Sequence, residues 1–350
     1  MLVATFGPSS AFAYWCLFSL NTITEVVLGE FDYIGASTVH DLKAALGTRR
    51  KKHLHLYSDC PDQGLIKAIL GSRIPFIILE EDPVDVHDFL IRERGLGWME
   101  ALRLASLFSA TTAPLYDSPL ALRLTRSERL TLGQFVGQVA THLGLDVEGD
   151  LYRNILQRLH PSGDPDRSIE TIILEQIANA RPRRDTVDLP PFEQSIAMPV
   201  LASMRHDRIG KLPESLRWPA DLFVGHAGIS VLLSQPIEML GPARCLIYGP
   251  YLHLPVGQWQ LSLSLDVADN YSGNALDIDI FHGRVLQMES FKLPPAGQMS
   301  LKLRVPVSES REPLQIRLIQ REGAIEGLLK IGDVYIQRLA IENDINGEEI

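Results

Sequence analysis

Apolar positions follow two different rhythms along this chain. In the first half they come as short runs that alternate with stretches of helical period. Leu2 to Phe6, Thr22 to Leu28, His53 to Tyr57 and Pro75 to Leu79 read as strands. Pro75 to Leu79 is apolar at every position, which suits a strand buried on both faces of a parallel sheet. Ala11 to Leu20, Asp41 to Leu46 and Gln63 to Leu70 read as helices, the first starting after a serine cap. From Pro83 to about Ala180 helical spacing dominates, at Asp85 to Arg94, Gly97 to Leu107, Leu132 to Leu143 (capped by Thr131) and Ile169 to Ala180. One extended piece, Leu120 to Leu124, is expected to add a strand. Strand and helix alternating in this way predict a doubly wound parallel sheet with flanking helices.

After Leu222 the rhythm changes to strict alternation. Trp259, Leu261, Leu263, Leu265 and Val267 share one parity. Leu276, Ile278 and Ile280 repeat the pattern, as do Leu301, Leu303 and Val305, then Leu314, Ile316 and Leu318, and the set ends over Ile331 to Leu339. Turn signals such as Asn270-Tyr-Ser-Gly-Asn, His282-Gly and Pro294-Pro-Ala-Gly separate them. Alternating strands at this spacing predict an antiparallel sandwich of jelly-roll type. The expected division is an α/β domain over 1–180, a polar, proline-bearing linker over 181–221, a β-sandwich over 222–341 and a frayed tail over 342–350.

Composition narrows the partners. A chain of 350 residues can bury two cores. The formal net charge of −10 argues against nucleic acid as a partner. The basic clusters at Arg49-Arg50-Lys51-Lys52 and at Arg181, Arg183 and Arg184 are small enough to be solvated loop charge. Cys16, Cys60 and Cys245 lie far apart, with no metal-ligand spacing, and fit a reducing compartment. The N-terminus lacks a basic leader, and no apolar run of roughly 18 residues stands out. The expectation is a cytoplasmic protein with no membrane span and no metal.

Chemistry-bearing residues gather where the apolar run at Pro75 ends. Glu81 and Asp82 close that strand, and Asp82 can cap a helix whose first residue is Pro83. Open α/β sheets build ligand sites at such strand ends. Gly7, Pro8, Ser9, Ser10, Ala11 and Phe12 form a second such turn after the first strand. Together with Glu81-Asp-Pro-Val-Asp85-Val-His-Asp-Phe89, they resemble the sulfotransferase family over roughly residues 1–180.

The resemblance implies that Gly7 to Phe12 cradle a 5′-phosphosulfate and that Glu81, Asp82 and Asp85 stand at the 3′-phosphate position of 3′-phosphoadenosine 5′-phosphosulfate. It also implies that His55, in His53-Leu-His-Leu, is a candidate base for deprotonating an acceptor hydroxyl. A strand histidine with a structural hydrogen bond is the competing reading of His55. The sequence departs from the family at charged positions. The first loop has no Lys or Arg, Glu81 stands in place of an arginine and Phe89 in place of a serine. A carboxylate facing a phosphate reverses the sign of the contact, so the expected cofactor is none, or that nucleotide if the domain is active. No Gly-x-Ser-x-Gly, His-Glu-x-x-His or Walker lysine offers another chemistry. Asp277, Asp279 and His282 read as a solvated face.

The second half resembles the carbohydrate-binding-module-like sandwiches of bacterial polysaccharide-assembly proteins, through Tyr248-Gly-Pro-Tyr-Leu-His-Leu-Pro-Val-Gly-Gln-Trp259 and Leu314-Gln-Ile-Arg-Leu. That resemblance implies sugar contacts from Tyr251, Tyr271, Arg317 and Tyr335, whereas the parity of Trp259 assigns it to the core. The expected function is an accessory or altered-donor protein of surface-polysaccharide assembly, binding glycan and other assembly proteins. The alternatives are an active sulfotransferase or other transferase acting on a glycan hydroxyl, and a non-catalytic interaction scaffold.

Overall fold

The computed structural model describes residues 1–205, 215–225 and 235–339. The chain divides into two compact units, the first over 1–194 together with Arg205 and the second made chiefly of the residues after 212.

The first unit is a five-stranded parallel sheet with helices on both faces. Its strands are β1 (Leu2–Phe6), β2 (Phe31–Gly35), β3 (His53–Ser58), β4 (Phe76–Glu80) and β5 (Ala121–Thr125), in the order β2-β3-β1-β4-β5. The strands beginning at Leu2 and Phe76 are both internal. Between them run α1 (Ala11–Leu28), α2 (Val39–Thr48), α3 (Gln63–Ser72), α4 (Pro83–Arg94) and α5 (Trp98–Thr112). After β5 come α6 (Leu132–Leu143), α7 (Gly149–Leu159) and α8 (Ile169–Gln176). One core joins α1, α6, α7 and α8 to Val3, Ile77, Leu79 and Leu124. The other face packs Ala4, Phe6, Leu54, Leu56, Phe76 and Ile78 on Leu65, Ile66 and Ile69 of α3.

Local chemistry accounts for the helix ends. Ser10, Thr38, Asp62, Asp82 and Thr131 each accept a backbone N–H as N-caps, and Thr38 with Asp41 and Thr131 with Gln134 form capping boxes. The expected strand at Thr22 to Leu28 is instead the second half of α1. Thr22 and Thr24 satisfy their hydroxyls on the carbonyls of Phe18 and Leu20, and Ile23 is fully buried. Burial therefore overrides the β-branched propensity. The helix stops at Gly29, whose φ of 84° suits glycine, and the strand falls at Phe31–Gly35. At 18 residues and mean hydropathy 1.4, α1 is long and apolar enough by composition to cross a membrane, contrary to the expectation that no run is; 61% of it is buried inside the protein.

In the stretch expected to be a linker, α9 spans Pro191–Ser203 and β6 spans Ser215–Trp218. The second unit continues with β7 (Val224–Gly225), β8 (Ile237–Glu238), β9 (Arg244–Leu252), β10 (Gly257–Ala268), β11 (Ala275–His282) and β12 (Arg284–Lys292), then β13 (Gly297–Val307), β14 (Leu314–Gln320), β15 (Leu328–Ile331) and β16 (Val334–Arg338). One antiparallel sheet has the order β6-β16-β10-β15-β8, with β13 also paired to β10; the other has the order β12-β11-β14-β9-β7. Trp259, Leu261, Leu263, Leu265 and Val267 are at most 2% exposed. Leu276, Ile278, Ile280, Leu314, Ile316 and Leu318 supply the buried positions of the other sheet, which is the alternation of a sandwich. The expected tail over 342–350 lies outside the described residues.

Candidate functional site

Strands β1 and β4 flank the point where the sheet order reverses, because the chain runs from β1 out to β2 and β3 before crossing to β4 and β5. The loop after β1 carries Gly7, Pro8, Ser9 and Ser10, and Ala11 and Phe12 open α1. Gly7 is required here: a Cβ at this position would lie 2.5 Å from the Leu79 carbonyl oxygen. Ser10 caps α1 through the Ala13 N–H at 3.0 Å. The Ser9 hydroxyl donates to Asp59 Oδ2 at 3.1 Å and accepts from Arg94 Nη2 at 2.9 Å. The loop thus has a guanidinium at its mouth, supplied by the end of α4, and a carboxylate from the end of β3 beside it. Sequence reading missed both residues because they are distant in the chain.

After β4 the carboxylates are held by the protein's own arginines. Glu81 is buried, with Arg126 Nη1 at 3.5 Å. Arg126 makes a two-pronged contact with Glu170 at 2.6 and 2.8 Å and donates to the Arg181 carbonyl at 2.5 Å. Asp82 pairs with Arg205 at 2.9 Å, and Arg183 lies 3.6 Å from Asp85. Burial, reinforced by Asp85 and opposed by Arg126, pushes the Glu81 carboxyl up to about 8. Burial likewise raises Asp85 to about 6. The remaining cavity, about 170 Å³, is lined by Glu81, Asp82, Thr125, Arg126, Arg183 and Arg205. That is small beside the roughly 300–1,000 Å³ of ordinary ligand pockets. Phe89, where the resemblance implied a serine, is buried with its ring 5.5 Å from that of Tyr14.

His55 lies within β3, opposite Val3, three residues before the strand ends. It is 1% exposed. Its Nε2 is 2.9 Å from Thr5 Oγ1 and its Nδ1 is 2.6 Å from Asn21 Oδ1. Burial lowers its pKa to about 4. Both ring nitrogens are therefore engaged by side chains of the fold, and the imidazole stays neutral.

The second unit gathers a different set on the outer face of the β12-β11-β14-β9-β7 sheet. Met288, Asp279, Arg317 and Tyr248 form one row across four strands. Arg317 grips Asp279 through Nε and Nη2 at 2.6 and 2.7 Å, and its guanidinium lies 4.7 Å from the centre of the Phe281 ring. Asp277 accepts from Ser290 at 2.7 Å and pairs with Arg321. Asp277 and Asp279 are thus buried under arginines, although they were expected to be solvated. His282 is also buried and has the opposite parity, that of Leu276 and Ile280. Among the described residues no three His, Cys, Asp or Glu side chains are grouped to hold a metal ion.

Tyr251 joins this face through a bulge. The register between β9 and β14 shifts at Leu314/Gln315, and Tyr251 takes a φ of 67°. That left-handed conformation is costly for a tyrosine and re-aims its side chain. Its ring stands edge-on to Tyr248 with centroids 6.3 Å apart. Of the four candidate sugar contacts, Tyr251 and Arg317 share this face. Tyr271, 76% exposed, is in the turn after β10, and Tyr335, 55% exposed, lies on the other sheet. Tyr248 and Phe281 complete the cluster; the alternation of β11 was the signal that could have found Phe281, whereas the two register shifts along β9 hide Tyr248 from such a reading.

No family model matches the chain, and no curated protein matches it. Among solved structures, a mouse sulfotransferase complexed with PAP is similar at 12% identity, covering 51% of this chain and 66% of that one, with a TM-score of 0.35. A carbohydrate-binding module solved with β-1,4-galactotriose is similar at 15% identity, covering 30% and 70%, with a TM-score of 0.23. The C-terminal carbohydrate-binding module of a laminarinase from Zobellia galactanivorans is similar at 11%, covering 35% and 99%, with a TM-score of 0.22. The chain is thus an α/β unit followed by an antiparallel sandwich, similar in part to a sulfotransferase and in part to carbohydrate-binding modules, and these distant likenesses transfer no activity to it.

Proposed function

We propose that this chain is a glycan-binding accessory protein whose sulfotransferase-like half does not use the family's sulfuryl donor. The observation that carries the proposal is the row Asp279–Arg317–Tyr248 with Phe281 and Tyr251 beside it. Aromatic surface next to a guanidinium held in place by a buried carboxylate offers a sugar ring a face to lie on and a fixed donor for its hydroxyls. A setting in bacterial polysaccharide assembly, in the cytoplasm and beside other assembly proteins, belongs to the same proposal. Calorimetric titration of neutral oligosaccharides into the full chain tests it. Tyr248→Ala should weaken binding at least tenfold, about 1.4 kcal/mol, and Arg317→Lys, which keeps the charge and loses the fork, should do the same. Equal affinity in both variants would remove this face from the account.

The contact between Arg94 and Ser9 favours a second reading, an active sulfotransferase with rearranged phosphate contacts that acts on a glycan hydroxyl. Arg94 brings to the first loop a cation that the loop sequence lacks, and the start of α1 attracts anions. Under the main proposal, 3′-phosphoadenosine 5′-phosphosulfate binds weakly or not at all. A micromolar constant that is lost in Arg94→Ala would favour the transferase.

A further inference from the structure

No helix or strand lies between Gln176, where α8 ends, and Pro191, where α9 begins. This stretch is nevertheless tied down at several points. Arg92 Nη1 donates to the Asn179 carbonyl at 2.5 Å, and Arg126 Nη2 donates to the Arg181 carbonyl at 2.5 Å. In return, Arg183 Nη1 donates to the Arg126 carbonyl at 3.1 Å, and the same guanidinium lies 3.6 Å from Asp85 and 3.8 Å from Asp82. Asp85 also accepts the backbone N–H of Arg184. The arginines expected to be solvated loop charge thus cross the ends of β4 and β5.

The segment is a cover more than a part of the core. Of residues 181–188 only Val187 is buried, and the Arg183 side chain is 43% exposed. A segment with so little buried apolar surface opens at a far lower cost than the fold as a whole. What it covers is enclosed. Asp85 stands in the first turn of α4, and its Oδ2 is buried without a hydrogen bond, Arg183 Nε standing off at 3.6 Å. With the segment in place the crevice keeps only about 170 Å³, and Arg183 is part of its lining.

The charges around Asp85 set the direction of any pH response. Glu81 and Asp82 face it from the turn before α4, Arg126 from the end of β5 and Arg183 from the covering segment. Arg205 is taken by Asp82 and Glu170 by Arg126, while the Cys16 thiol of α1 faces Glu81. Burial, reinforced by Asp82 and opposed by the two arginines, raises the Asp85 carboxyl from 3.8 to about 6. Lifting the cover lets water reach this carboxyl and returns it toward 3.8, so the shut form holds the proton more tightly. Shutting is therefore favoured in acid, and the preference is lost as pH rises through about 6. From pH 5 to pH 7 the shut form should lose about tenfold relative to the lifted one. Glu81 lies behind Arg126, which Glu170 grips from α8, and that grip does not involve the cover.

We propose that residues 179–188 are a strap over the crevice at the ends of β4 and β5, shut in acid and lifting as the pH rises, with Asp85 as the switch. Access to Asp82 and Asp85 is then set by pH as well as by the sheet, whichever functional reading of the chain holds. Hydrogen exchange of the full chain at pH 5, 6 and 7, corrected for the intrinsic pH dependence of amide exchange, tests it. Protection of the 181–188 amides should fall about tenfold from pH 5 to pH 7. Amides of α6 should stay far better protected at each pH, which marks the opening as local. Asp85→Asn, which cannot ionise, should hold the strap at its pH 5 level throughout. Glu81→Gln should keep the fall. Protection that does not change with pH in wild type would overturn the proposal, and so would an equal fall in Asp85→Asn. Exchange of α6 at the rate of the strap would also overturn it, because the opening would then be global unfolding. A fall that disappears in Glu81→Gln would move the switch to Glu81 and reject the role of Asp85.

Discussion

At the scale of single residues, Glu81 separates what the sequence shows from what only three dimensions add. Its position after a buried strand is legible, and so is the reversed charge relative to an arginine. Its partner is not, because Arg126 is 45 residues away and meets it only when β5 is in place, with Glu170 of α8 holding the other side of the same guanidinium. Asp277 and Asp279 were misread for the same reason: alternation gives the face of a strand but not the arginines of a neighbouring strand that cover it. Glu81 also has a consequence for pH. Its folded pKa, about 8, lies above the usual carboxylate value of 4.5. The unfolded chain therefore releases this proton first, and Glu81 lowers stability progressively between about pH 4.5 and pH 8. Glu81→Gln should flatten that part of the stability curve and gain a few kcal/mol near pH 8, read by urea melts at several pH values. Glu81→Arg should instead destabilise the fold, since it buries a second guanidinium beside Arg126. A Glu81→Gln curve parallel to wild type would mean that the carboxylate is ionised in the folded protein at neutral pH.

At the scale of elements, strict periods were read correctly and mixed ones were not. Leu132 to Leu143 has a cap and a clean helical repeat, and α6 occupies those residues. Thr22 to Leu28 has strand-forming residues, yet its apolar positions also continue the helical stripe of Leu20 and Ile23. The core decided between the two periods. In β10 the period of two leaves no such choice, and Trp259 is 1% exposed with its Nε1 donating to the Pro255 carbonyl at 2.9 Å. Removing a buried tryptophan costs about 3–5 kcal/mol, a large part of an ordinary stability of roughly 5–15 kcal/mol. Trp259→Ala should therefore lower the melting midpoint of the full chain sharply, while Ser262→Ala on the same strand leaves it nearly unchanged. Circular dichroism melts check this, and equal midpoints would contradict the core position of Trp259.

At the scale of the whole molecule, the chain couples an α/β unit to an antiparallel sandwich, and the two rhythms of its sequence predict both. The frame of a strand-end site is equally legible in Gly7 and Pro83, because glycine and proline impose backbone geometry locally. What fills that frame was legible only in part, since Arg94, Arg183 and Arg205 come from outside the motif. The central proposal is that the molecule recognises glycan through the sandwich and does not bind 3′-phosphoadenosine 5′-phosphosulfate. Thermal unfolding of the full chain with each ligand class in parallel tests that claim most directly, because a ligand that binds the folded state raises its midpoint by mass action. Neutral oligosaccharides should raise the midpoint, and 3′-phosphoadenosine 5′-phosphosulfate at the same concentration should leave it where it was. A rise with the nucleotide and none with the sugars would contradict the account.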